Sequence, residues 1–145
     1  MAAHAPPAGF DRHFRQSPLT DPWEPLYSRR SAEGVAIGLL AAAAHTNSRG
    51  FVHGGLISAL ADNAMGLSCG QALVGGPSLV TVTLALDFLG PAAIGQWLEI
   101  TPAIVRLGST LCFAEATVTA DGAPCARAHA TFRVVRRTVP APASG

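Results

Sequence analysis

His53-Gly54-Gly55 is the first place in this sequence where residue type and spacing could do chemistry. The tripeptide stands directly before a segment with Leu56, Leu60, Ala64 and Leu67 at helical spacing. Glycines at a helix N-terminus let a ligand approach backbone N–H groups that have no intrahelical partner and lie at the positive end of the dipole. Such amides can hold an oxyanion. The plainer reading is a capping histidine followed by a tight turn into the helix. Asp62 lies nine residues after His53 and, at about 100° per residue, roughly 200° around the helix from Leu60. Off the apolar stripe, it is either a solvated surface carboxylate or a general base or nucleophile at a carbonyl.

Geometry links the two features. At about 1.5 Å rise per residue, Gly54 and Asp62 are separated by about 12 Å along one helix, so they cannot both touch one carbonyl carbon within a chain. If both act on one bond, the carboxylate comes from a second subunit. Asn47, six residues before His53, could donate and accept at the same carbonyl or at an attacking water, or could be an Asx-turn residue. Thr81 could place a hydroxyl near that water, or simply be a strand threonine.

The positioning elements follow from periodicity and turn chemistry. Met1 to Pro25 holds five prolines and reads as part of a partly ordered arm, residues 1–30, with Phe10, Phe14 and Trp23 available to staple it to the body. Ser31 to Ala44, with Val35, Ile37 and Leu39 alternating, predicts a first strand. His45 to Val52 is rich in turn formers, and Leu56 to about Leu73 predicts the one long helix, ended by Gly75-Gly76-Pro77. Ser78 to Phe88 alternates at period two. Gln96–Leu107, Ser109–Ala120 and Ala123–Val135 also read as strands, the last two joined by the hairpin signal Asp121-Gly122. Residues 31–136 thus form one α+β domain in which the helix buries its stripe on an antiparallel sheet, and 137–145 reads as a flexible tail.

Composition narrows the function classes. In 145 residues, 49% are hydrophobic and 13% charged, too apolar for disorder and sparse in charge for a lone monomer, which predicts surface buried in an oligomer. The ten basic residues are all Arg and balance nine acidic ones to +1, which argues against nucleic-acid binding. No apolar run approaches the ~20 residues of a membrane span, and the first ten residues lack the pattern of a secretory signal. Cys69, Cys112 and Cys125 are odd in number and show no zinc spacing. No metal, no membrane and a cytoplasmic location are the expectations.

Asn47, five intervening residues, His53-Gly54-Gly55, then Leu60-Ala61-Asp62, Thr81-Val82 and Phe88-Leu89-Gly90-Pro91-Ala92 together resemble the hotdog-fold acyl-CoA thioesterases of the phenylacetic-acid-degradation type, over about residues 31–135. The resemblance implies a long central helix wrapped by a curved antiparallel sheet of about five strands, with protomers joined sheet edge to sheet edge as a homodimer or a dimer-of-dimers homotetramer. It implies hydrolysis of an aromatic or medium-chain acyl-CoA to the acid and CoA, with CoA as part of the substrate and no separate cofactor. Asp62 would be base or nucleophile, the Gly54 N–H would polarise the thioester carbonyl, Asn47 would orient carbonyl or water, and His53 would support the turn. Gly66 stands where some relatives carry a hydroxyl that assists the attacking water, so either that role is absent or Thr81 fills it. Gly55, Arg106 and Ser109 are the expected substrate contacts. One departure stands out: family members often carry Arg or Lys straight after the glycine of this stretch, whereas Val105-Arg106-Leu107-Gly108 is followed by Ser109. Arg106, Arg133, Arg136 and Arg137 are the substitutes for holding CoA phosphates. Two rival readings are a non-catalytic acyl-thioester-binding protein and an enoyl-CoA hydratase.

Overall fold

The computed structural model describes residues 5–136, so the tail assigned to 137–145 lies outside the described residues. Strands β1 (Asp11–Arg12), β2 (Tyr27–Ser31) and β3 (Gly34–Leu40) precede the helix α1 (Gly54–Ala72). Strands β4 (Ser78–Phe88), β5 (Trp97–Leu107), β6 (Leu111–Ala120) and β7 (Ala123–Val135) follow it. All pair antiparallel in one sheet of order β1-β2-β3-β5-β6-β7-β4.

The sheet has seven strands, not about five. The two additional strands come from segments before and at Ser31. The β2 sequence, Tyr-Ser-Arg-Arg-Ser, has no apolar alternation to announce a strand, and it is recruited by its ladder with β3, Tyr27 opposite Gly38 through Ser31 opposite Gly34. Strand β4 pairs with β7 rather than with its neighbour in sequence, β5, which leaves β4 at the sheet's edge.

Helix α1 buries Leu56, Leu60 and Ala64 together with Ile57, Ala61, Met65, Ser68 and Cys69. Facing them, the inner surface of β6 and β7 is built largely of alanine: Ala114, Ala116, Ala128 and Ala130 are all buried. Small side chains there let the helix lie close to the sheet, with the bulk supplied by Ile37, Leu39, Leu98, Ile100 and Phe132. Register shifts at Ile104/Arg106, Val118/Thr119 and Thr81/Thr83 mark bulges, which increase local twist and bend the sheet around the helix. One buried hydroxyl ties the layers: Ser68 Oγ donates to the Ala64 carbonyl at 2.6 Å and accepts from the Val35 N–H at 2.9 Å.

The turns behave as their chemistry requires. Asp121 and Gly122 have φ of 47° and 82°, the positive pair that a two-residue type I′ hairpin demands. Ahead of β2, Leu26 and Phe10 are buried, and the Phe10 ring meets Trp97 edge-on with centroids 5.3 Å apart.

Candidate active site

The turn into α1 is set by two histidines. His53 is the N-cap: its Nδ1 accepts the Gly55 N–H at 2.8 Å, and its own N–H donates to the His45 carbonyl at 2.9 Å. His45 is buried, accepting the Ala42 N–H on Nδ1 and donating Nε2–H to the Trp23 carbonyl at 2.8 Å. The chain before β2 and the loop before the helix are therefore pinned together through one imidazole. The Gly55 amide is occupied by the cap, whereas among the described residues the Gly54 N–H has no hydrogen-bond partner. A Cβ on Gly54 would lie 3.1 Å from the exposed Phe88 ring of β4, a tight contact that a small shift of the ring would relieve.

Asn47 adopts the turn role that its residue type allows. Its Oδ1 accepts the N–H groups of Arg49 at 2.9 Å and Phe51 at 3.2 Å. The side-chain amide N–H2 is then the only part of Asn47 free to reach a ligand, and it can only donate.

Two turns along the helix, Asp62 is half-buried and accepts a 2.7 Å hydrogen bond on Oδ1 from Thr81 Oγ1. The bulge between Thr81 and Thr83 sets this contact: Thr81 pairs with Phe132 and Thr83 with Thr131, so Val82 is the extra residue and Thr81 turns toward the helix. Both residues line a cavity of about 550 Å³ between the second half of α1, the start of β4 and the segment from His13 to Thr20. Gly66 lines it too, one turn beyond Asp62, and a Cβ there would come within 3.3 Å of Phe132.

The structure thus joins Asp62 to Thr81 and His53 to Gly55, but it does not bring Gly54 and Asp62 together. The helix is continuous between them, and the separation of about 12 Å along its axis stands. Arg106 and Ser109 lie elsewhere, in a shallow depression of about 320 Å³ at the β5–β6 turn that shares no lining residue with the Asp62 cavity. Arg133 faces outward between Val80 and Leu111 at the same end of the sheet, and Arg136 donates to the Val74 carbonyl at 3.1 Å. Arg137 lies outside the described residues. Among the described residues no cluster of three or more His, Cys, Asp or Glu side chains is placed to hold a metal ion, and none of their helices is long and apolar enough to cross a membrane.

Sequence reasoning missed His45 and the cavity wall supplied by His13, Arg15 and Arg30. His45 sat in a run of turn formers with nothing to mark its burial. Burial holds the His13 imidazole below the ordinary histidine range, with Arg15 and Arg30 acting in the same direction and Glu24 opposing them. Burial also pushes the Cys69 thiol up to about 11, helped by the neighbouring Cys112, and raises Cys125.

Residues 49–126 match the family model described as the thioesterase superfamily, a span holding every candidate catalytic residue except Asn47. A Pseudomonas aeruginosa protein provisionally named an esterase is 36% identical over 129 residues, covering 88% of this chain and 96% of its own. Mouse acyl-coenzyme A thioesterase 13 is 39% identical over 77 residues, and the match spans about half of each, 52% of this chain and 53% of the mouse protein. A crystal structure of a Bacillus halodurans protein with CoA superposes with a TM-score of 0.65 at 30% identity, covering 69% of this chain and 66% of that one.

Proposed function

The chain belongs to the thioesterase superfamily and is a thioester hydrolase of hotdog fold, and from that premise we propose that it hydrolyses an acyl-CoA, aromatic or medium-chain, at a site shared between two subunits. The single observation that carries the reading is the Asp62 carboxylate, half-buried in the cavity wall and oriented by Thr81. A hydroxyl on Oδ1 fixes the carboxylate's rotation and leaves Oδ2 to take a proton from water or to attack the carbonyl directly.

The remaining parts come from the other subunit's turn. In this reading the unpartnered Gly54 N–H, at the positive end of its own helix, donates to the developing oxyanion, and the free Asn47 amide N–H2 donates beside it. His53 holds the turn by occupying the Gly55 N–H, so Gly55 shapes the site without donating. Tetrahedral charge then builds where two fixed donors already point, while Asp62 of the facing chain delivers the nucleophile. Arg106, Ser109 and Arg133 gather on the outer side of the same sheet end, where guanidiniums suit phosphates, and we assign the CoA moiety to that surface.

The exposed edge of β4 supports assembly. It is an 11-residue strand at the end of the sheet, with Val80 and Val82 each more than half exposed. An edge of that length and character is a template for a second copy, which fits a homodimer or a dimer of dimers. The resemblance of the sequence motifs supports assigning the phenylacetic-acid-degradation type, and three free buried cysteines fit a reducing, cytoplasmic setting. A hydratase would need a histidine as acid or base beside the carboxylate, but His53 uses Nδ1 as a cap. The test is release of free thiol from a panel of acyl-CoAs by the protein and by Asp62→Asn. Turnover that is lost only in the variant supports the reading, and acyl-CoA binding without thiol release in both would leave a non-catalytic binder.

A further inference from the structure

The Asp62 cavity has a second end. Its far wall is built by the segment from His13 to Thr20 and by Arg30 of β2, not by the helix or the edge strand. The two arginines of β2 alternate across the sheet and meet different environments. Arg29 points to one side, where it lies 3.2 Å from the Glu99 carboxylate. Arg30 points to the other side, into the cavity, where its guanidinium is laid over the Phe14 ring at 4.1 Å. A stacked guanidinium keeps its N–H edge available and correctly presented while its face is held by the ring. Among the described residues neither Arg30 nor Arg15 has a carboxylate partner. His13, 9% exposed, lines the same cavity, and its Nδ1 is buried with no hydrogen bond. The Glu24 carboxylate acts on it from nearby, its Oε2 taken by the Leu26 N–H and by Arg12 and its Oε1 buried without a hydrogen bond. The cavity therefore runs from one carboxylate, Asp62, to two guanidiniums and an unsatisfied imidazole.

Building on the hydrolase reading above, we infer that His13, Arg15 and Arg30 form the recognition site for an anionic oxygen group at the far end of the acyl chain, so that the preferred substrate is a CoA thioester of an acid carrying a second carboxylate. The chemistry of the wall selects it. Guanidiniums pair with carboxylates bidentately, and a neutral imidazole adds one further hydrogen bond. Phe14, Leu67 and Phe132 supply the apolar walls between, which suits the methylenes of a linear dicarboxylic half-thioester. A purely aliphatic acyl chain would instead end in a methyl group that makes none of these bonds.

The experiment compares kcat/KM for glutaryl-CoA and pentanoyl-CoA, which differ only in the terminal group, in the wild-type protein, Arg30→Gln and Arg15→Gln, with inhibition by free CoA measured alongside. The expected result is a wild-type preference for glutaryl-CoA of about 10-fold or more, the scale of one charge-assisted hydrogen bond, which Arg30→Gln removes through the glutaryl value alone. Equal rates for the two thioesters in the wild type overturn the inference. So does a variant in which both substrates and free CoA weaken together, because the arginines would then be reading CoA phosphate. If neither thioester is cleaved, the hydrolase reading fails separately. Calorimetric binding of the same pair then decides: a glutaryl preference that Arg30→Gln erases supports the site, and equal affinities overturn it.

Discussion

Thr81 on the edge strand and Asp62 on the helix are joined by a 2.7 Å hydrogen bond that exists only because β4 carries one residue more than β7 at Val82. Without that bulge the two-residue alternation of the strand would continue unbroken, and the side chains at 81 and 83 would share a face. The bulge thus re-aims one hydroxyl onto one carboxylate.

Asp62→Asn keeps the size of the side chain and can still bond Thr81, so the fold should persist. It removes the proton acceptor or nucleophile. Turnover of acyl-CoA is expected to fall at least ~10²-fold, on the scale of general-base catalysis, with an unchanged melting temperature. Undiminished thiol release by this variant would remove Asp62 from the reaction.

Thr81→Val deletes the oriented hydroxyl and keeps the β-branched shape of a strand residue. Thr81 is exposed and stands at an edge, so stability should change little. The loss of one hydrogen bond to a charged group, about 1.5–3 kcal/mol, predicts a fall of roughly 10- to 100-fold in kcat/KM. Thr81→Ser should recover most of it. Equal loss in both variants would mean that the methyl group, not the hydroxyl, matters.

Ser68→Ala tests the tie between helix and sheet. Ser68 is fully buried, and its removal leaves the Val35 N–H without an acceptor. A destabilisation of about 1–3 kcal/mol is expected in urea unfolding, the penalty for an orphaned buried donor. Gly34 packs directly on this hydroxyl, since a Cβ there would stand 2.7 Å from Ser68 Oγ. Turnover per folded molecule should be unaffected.

The pH dependence of stability should show the cysteine pair. Cys69 has a folded pKa of about 11 against 9.0 in the absence of burial. Above pH 9 the unfolded chain binds fewer protons than the folded one, so stability falls as pH rises through the window between the two values. Below pH 9 the thiol is protonated in both states and contributes no slope. Cys69→Ala should flatten the alkaline limb, read as the urea midpoint between pH 8 and about 10.5. An identical limb in that variant would assign the effect to other groups.

What the sequence made legible is what local pattern encodes. The period-two alternation of Val80, Val82, Leu84 and Leu86 announces β4, and Asp121-Gly122 announces the hairpin of β6 and β7. Neither tells which strand β4 pairs with, because alternation fixes a face and not a partner. Polar β2 carries no periodic signal and is a strand only through β3. Asn47 and His53 show the same limit in the site. Their types admit both a turn role and a ligand role, and only the observed bonds separate the oxygen that is occupied from the N–H groups that remain free. His45 and Arg30 owe their places to contacts with residues far away in the chain, which no window of sequence contains.

The sharpest consequence of the geometry concerns which chain supplies which part. Gly54 is the first residue of the helix, where proline is well tolerated because its missing N–H has no intrahelical use. His53 already has φ −68° and ψ 133°, the extended conformation that a following proline requires. Gly54→Pro therefore deletes the amide donor while keeping the helix, with the exposed Phe88 ring as the one group that must shift. Alone, this variant should lose about 10²- to 10³-fold in turnover, as for other single oxyanion donors. Asp62→Asn alone should be comparably poor. When the two are unfolded together and refolded at equal ratio, random pairing makes about half the dimers mixed, and each mixed dimer regains one intact site of two, restoring about a quarter of wild-type turnover. A site built within one chain would regain nothing, since every chain would still lack one part.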